Sequence, residues 1–93
     1  MKLAYLGPPG TFSQEAAIAY AGGNMDILKS YPGIDAVIRA VEKKEAEAGI
    51  VPVENSLEGS VNFTLDLLRH SNVLIRGEIA LAIRHFLLVQ KGG

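Results

Sequence analysis

Cysteine is absent from this sequence, which excludes a disulfide framework and a thiolate metal site. Only two histidines are present, His70 and His85, and they lack the close spacing of a metal-binding pair. Neither a thiolate nor a paired-histidine metal site is therefore expected. Charge of one sign is lacking too: nine Lys and Arg stand against ten Asp and Glu, a formal net charge of -1. A protein that tracks nucleic-acid phosphates needs a basic face, which this balance does not provide. An anionic ligand would have to be held by local donors, because the overall field is nearly neutral. Long apolar runs are missing as well. The apolar start at residues 2–6 runs directly into Gly7-Pro8-Pro9-Gly10, too soon for a secretory signal. The longest candidate, residues 79–89, is interrupted by Arg84 and His85 and falls short of the about 20 residues a membrane helix needs. These absences give the expectation of a soluble, cytoplasmic protein with neither a nucleic-acid nor a membrane partner.

What is present is enough to fold. Hydrophobic residues make up 48% of 93 positions, outside disordered composition and suited to one small domain or one lobe of a larger one. A chain this short buries a modest share of its surface, so marginal stability is expected.

Residues 2–6 read as a buried strand stopped by Pro/Gly turn chemistry. Thr11 or Ser13 caps a helix reaching about Tyr20, with Gly22-Gly23 after its end. Residues 26–31 form a second strand before Pro32-Gly33. Ile34, Val37, Ile38 and Val41 then repeat at i, i+3, i+4, i+7, an amphipathic helix. Residues 47–53 are a third strand. Ser60 opens another helix with Val61, Leu65 and Leu68 on one face. The remainder is β-rich: Val73-Leu74-Ile75, a break at Arg76-Gly77, then one long strand over residues 78–89. This β-α-β-α-β-α-β order predicts an α/β fold, a three-layer αβα arrangement around an open, parallel-rich sheet. Ligands of such sheets bind beyond the carboxyl ends of the strands, where the loops 7–13 and 52–60 both lead into helices.

Those two loops carry the candidate chemistry. In Gly7-Pro8-Pro9-Gly10-Thr11-Phe12-Ser13 a glycine-bearing turn at a helix start presents unpaired N–H groups at the positive end of the helix dipole, and Thr11 and Ser13 add hydroxyls. A turn followed by a Ser cap is also a common structural device, and spacing alone favours that reading. No Gly-Lys-Ser/Thr follows, so it is not a P-loop. In Pro52-Val53-Glu54-Asn55-Ser56-Leu57-Glu58-Gly59-Ser60-Val61, Asn55 offers a donor and an acceptor, Ser56 and Ser60 offer hydroxyls, and Gly59 permits close backbone approach. An Asx-type turn with a Ser cap is the structural alternative there. Glu54 is either an acid or base, or a solvated loop carboxylate. Together the loops place two anion-friendly helix starts at one end of one sheet, which suits a dicarboxylate.

These residues carry a family resemblance. The run GPPGTFSQEAA resembles the Gly-Pro-x-Gly-Thr-Phe-Ser-x-x-Ala-Ala opening of prephenate dehydratases. The run PVENSLEGSV with TLDLL resembles their Pro-x-Glu-Asn-Ser-x-x-Gly-x-Val segment and the helix after it. Gly77-Glu78-Ile79 with Ile83-Arg84-His85-Phe86-Leu87-Leu88 is similar to the strand that follows. The three blocks span nearly the whole chain in the family's order; Glu47, where many members have Asp, is a minor departure.

The resemblance implies one lobe of a type II periplasmic-binding-protein-like fold, the first lobe of a catalytic domain, running into the interlobe strand from about residue 78. The second lobe and the ACT regulatory domain would lie outside these residues. It implies the decarboxylating dehydration of prephenate to phenylpyruvate in L-phenylalanine biosynthesis, without a cofactor. Arogenate dehydratase and a non-catalytic small-anion-binding lobe remain alternatives. Carried over residue by residue, Asn55 and Glu54 take catalytic roles, and Thr11, Phe12, Ser13, Asn55, Ser56, Gly59 and Ser60 substrate-binding ones. The family's Thr-Arg-Phe motif is not among these residues, so the 93 residues alone are expected to be inactive. His85 is read as a hydrogen-bonded structural residue rather than a general acid. A homodimer is expected, with self-association through an uncovered C-terminal strand that leaves Leu81, Ile83, Phe86, Leu87, Leu88 and Val89 partly exposed.

Overall fold

The computed structural model describes residues 2–53, 63–80 and 83–91. Strand β1 (Leu3–Leu6) leads to helix α1 (Phe12–Tyr20), a 3-10 turn at Met25–Ile27 and strand β2 (Leu28–Tyr31). Helix α2 (Ile34–Glu42), strand β3 (Ala48–Pro52), helix α3 (Phe63–Arg69) and strands β4 (Val73–Ala80) and β5 (Arg84–Gln90) follow. The strands form one sheet in the order β2-β1-β3-β5-β4. β1 pairs in parallel with β2 and β3, as helical crossovers require. β5 enters antiparallel between β3 and β4.

This last arrangement corrects the reading of the C-terminal stretch. The Arg76-Gly77 pair does not break the chain; β4 continues through it with a shift of register between Ile75 and Gly77, a bulge. Residues 78–89 are not one strand but the end of β4 and the whole of β5, with Ala80 opposite Arg84. Both neighbours of β5 come from its own chain. Phe86 and Leu87 are 7% exposed and Leu88 is 0% exposed, so these three are core, whereas Val89 is half-buried and Ile83 is exposed as expected. The basis for self-association through an uncovered C-terminal strand is thereby removed; among the described strands the edges are β2 and β4. The second strand is also shorter than read, because Asn24 accepts the Asp26 amide and winds residues 25–27 into a turn.

Side-chain alternation sorts the sheet into two faces. Leu3, Tyr5, Ala48, Ile50 and Leu87 face α1, where they meet Ala16 and Ala17. Ala4, Val51, Phe86 and Leu88 face the other way and pack with Val37, Ile38, Ala40 and Val41 of α2 and with Leu67 and Leu68 of α3. Three layers result, as expected. Gly49 allows α2 to sit close: a Cβ there would lie 2.9 Å from Val37 Cγ1 and from Val41 Cγ2. No helix among the described residues is long and apolar enough to cross a membrane.

Candidate functional site

The parallel strands β1 and β3 end on the same side of the sheet, and α1 starts there. Its first turn is closed by a reciprocal cap. The Gln14 amide donates to Thr11 Oγ1 at 3.3 Å, and the Gln14 side-chain oxygen accepts the Gly10 amide at 2.7 Å. Thr11 also donates to the Leu6 carbonyl at 3.4 Å. Gly10 supports this turn at φ +94°, a conformation side-chain-bearing residues rarely adopt. The amides of Phe12 and Ser13 form no hydrogen bond among the described residues, so two N–H groups remain at the helix start. Phe12 itself is half exposed.

Ser13 takes a different direction. Its Oγ lies 3.0 Å from His85 Nε2, a bond joining residues 72 apart in sequence. Ser13 is 4% exposed and His85 0%. The other ring nitrogen, Nδ1, lies 3.1 Å from the Ile83 carbonyl. A carbonyl only accepts, so Nδ1 carries the proton and Nε2 receives the one from Ser13. Burial lowers the His85 pKa from the ordinary 6.5, against which the bond to Ile83 acts as a smaller opposing effect. The ring is accordingly neutral near pH 7. The sequence placed His85 correctly as a hydrogen-bonded residue but did not name its partner. The signal was available: His85, Leu87 and Val89 alternate onto the face that α1 covers, and Ser13 stands in the first turn of α1.

Glu54, Asn55, Ser56, Gly59 and Ser60 lie outside the described residues, as does Leu81. What leads into their loop is defined. The Val53 amide donates to the Arg84 carbonyl at 2.9 Å, and fully buried Thr64 donates to the Pro52 carbonyl at 3.0 Å. The end of β3 is thus fixed from both β5 and α3. Beside the β1 end, Gly7, Pro8, Pro9, Ser30, Tyr31 and Pro32 line a shallow cavity of about 380 Å³. Gly7 is held there by its amide, 2.8 Å from the Tyr31 carbonyl. No group of three or more metal-ligating side chains occurs among the described residues.

A three-layer α/β lobe with an open sheet, a capped helix start and a fixed loop entrance at its strand ends has the architecture of one lobe of a periplasmic-binding-protein-like fold. The comparisons narrow this. A family model described as prephenate dehydratase matches residues 3–93, and the chain belongs to that family. A bifunctional chorismate mutase/prephenate dehydratase of Stutzerimonas stutzeri is 48% identical over 89 residues, covering 96% of this chain and 24% of the relative. The chain spans about a quarter of the length of the curated relatives it matches. Among solved structures, prephenate dehydratase from Streptococcus mutans superposes with a TM-score of 0.81 at 40% identity, over 98% of this chain and 50% of that one. A protein described as a novel type of quorum-quenching acylase superposes with a TM-score of 0.78 at 25% identity, over 98% and 48%.

Proposed function

We propose that this chain is the first lobe of a prephenate dehydratase and supplies half of the cleft in which prephenate loses carbon dioxide and its ring hydroxide to give phenylpyruvate. The match of residues 3–93 to the family model carries this reading. In the reaction the bond from the ring to its carboxylate breaks, its electrons enter the ring, and the C–O bond to the hydroxyl breaks as the ring becomes aromatic. The protein's part is to hold the substrate and help hydroxide leave. Donors at the α1 start, with Thr11, Phe12 and Ser13, and the loop bearing Glu54, Asn55, Ser56, Gly59 and Ser60 are proposed to do the holding on this side. Asn55 is proposed as the central substrate contact and Glu54 as a catalytic group. The second lobe and an ACT domain belong to the proposal as parts beyond these residues, as do a cytoplasmic location and a homodimer whose contact is not β5.

The experiment assays the full-length gene product for phenylpyruvate formed from prephenate and for phenylalanine formed from arogenate. Turnover of prephenate is expected, and none from the 93 residues alone. In the full-length protein Asn55→Ala should lose roughly 1.5–3 kcal/mol of substrate interaction, about one to two orders of magnitude in rate constant. Preference for arogenate, or no activity with either substrate, overturns the reading.

A further inference from the structure

The hydroxyl of Ser13 and the imidazole of His85 share one proton position that a bound anion would contest. With Nδ1–H given to the Ile83 carbonyl, neutral His85 takes the Ser13 proton on Nε2. Ser13 Oγ then turns only lone pairs towards its surroundings, although the amides of Phe12 and Ser13 beside it have protons to give. Protonating the ring reverses the bond. Nε2–H donates to Oγ, the Ser13 proton is released, and a positive charge stands beneath the start of α1. Both changes favour an anion in front of that helix.

We propose that His85 is a positioning residue acting through Ser13, and that a carboxylate bound at the start of α1 draws a proton onto His85. This deepens, and rests on, the reading of the chain as a prephenate-binding lobe. The carboxylate concerned is the one on the pyruvyl side chain. The ring carboxylate must leave as neutral carbon dioxide, so donors and a cation that stabilise its charge would oppose the reaction. The side-chain carboxylate keeps its charge from substrate to product, and holding it firmly costs the chemistry nothing.

No other charged group among the described residues is placed to take over this role. From β3, Pro52 lies opposite His85, and from β4, Ile79 does. Glu78 and Arg84 alternate onto the other face and pair with each other. Glu15 of α1 is exposed, and Tyr5 shares the face of His85 from two strands away.

The test is calorimetry of phenylpyruvate, which retains the side-chain carboxylate, binding to the full-length protein between pH 5 and 8 in buffers of different ionisation heat. Proton uptake on binding is expected. An opposite charge within hydrogen-bonding range of the pair should raise the His85 pKa, so affinity should rise, about tenfold, as pH falls through the titration. His85→Gln keeps an acceptor for the Ser13 proton but cannot titrate, and its affinity should not change with pH over that range. Ser13→Ala should retain a titrating His85 and lose most of the coupling. No binding, pH-independent binding by the unaltered protein, or the same slope in His85→Gln overturns the proposal. If prephenate is still turned over in those cases, only this inference falls; if it is not, the functional reading falls with it.

Discussion

Beneath α2, the sheet is covered by Val37, Ile38, Ala40 and Val41 against Ala4, Val51, Phe86 and Leu88. Beneath α1 the helix offers Ala16 and Ala17 to Leu3, Tyr5, Ile50 and Leu87, and this smaller apolar layer ends in the buried Ser13–His85 pair. Helix α2 turns only apolar side chains to the sheet; the polar groups of that face are the Thr64–Pro52 hydrogen bond and the exposed Glu78–Arg84 pair at its margin. The α1 face gives up part of such apolar packing to bury a hydroxyl and an imidazole, which have to satisfy each other. One sheet thus carries a stability face and a face whose state responds to protons. The polar pair lies at the strand ends, where the helix start and the loop to residue 54 converge.

The largest effect that could break this contrast is truncation in the α2 face. Leu88 is fully buried there, and Leu88→Ala should cost about 2–5 kcal/mol, read as a lowered urea midpoint with unchanged slope. Next comes over-packing of the same face. Gly49→Ala would force a Cβ to 2.9 Å from two valine methyls and should cost about 1–3 kcal/mol. Val37→Ala in the same chain should recover part of that loss, because it vacates one of the two contacts. If neither change lowered stability, the α2 face would not be the packed partner of the sheet. A smaller effect belongs to the α1 face: Thr11→Ala removes the acceptor for the Gln14 amide and should cost about 1 kcal/mol in thermal or urea unfolding.

How far the sequence foretold this arrangement depends on what each feature rests on. The amphipathic repeat at Ile34, Val37, Ile38 and Val41 determined α2, and Thr11 was one of two caps named for α1. Such features are local, set by spacing along a single helix. The β4–β5 hairpin was not foreseen, because a mainly apolar run, even with Arg84 and His85 in it, reads the same whether it is one buried strand or two paired ones. Only the insertion of β5 between β3 and β4, a non-local pairing, separates the cases. The Ser13–His85 bond is non-local too, spanning 72 positions, so the sequence supplied the face of each residue and not their meeting. The motif with Asn55 was legible through family resemblance, and its roles remain to be tested by substitution.

The smallest expected effect is also the one specific to the α1 face. Unfolded, His85 titrates near 6.5; folded, burial holds its pKa lower. Between those two values the unfolded chain binds the proton and the folded chain does not, so stability must rise with pH across that window. The contribution is complete above 6.5 and is lost as pH falls through the window towards the folded value. Urea midpoints measured from pH 5 to 8 should therefore fall on the acid side in the unaltered protein, and the fall should be smaller in His85→Gln. If His85→Gln left the acid-side fall intact, the proton-sensitive group would lie outside the α1 face and the contrast between the two faces would fail.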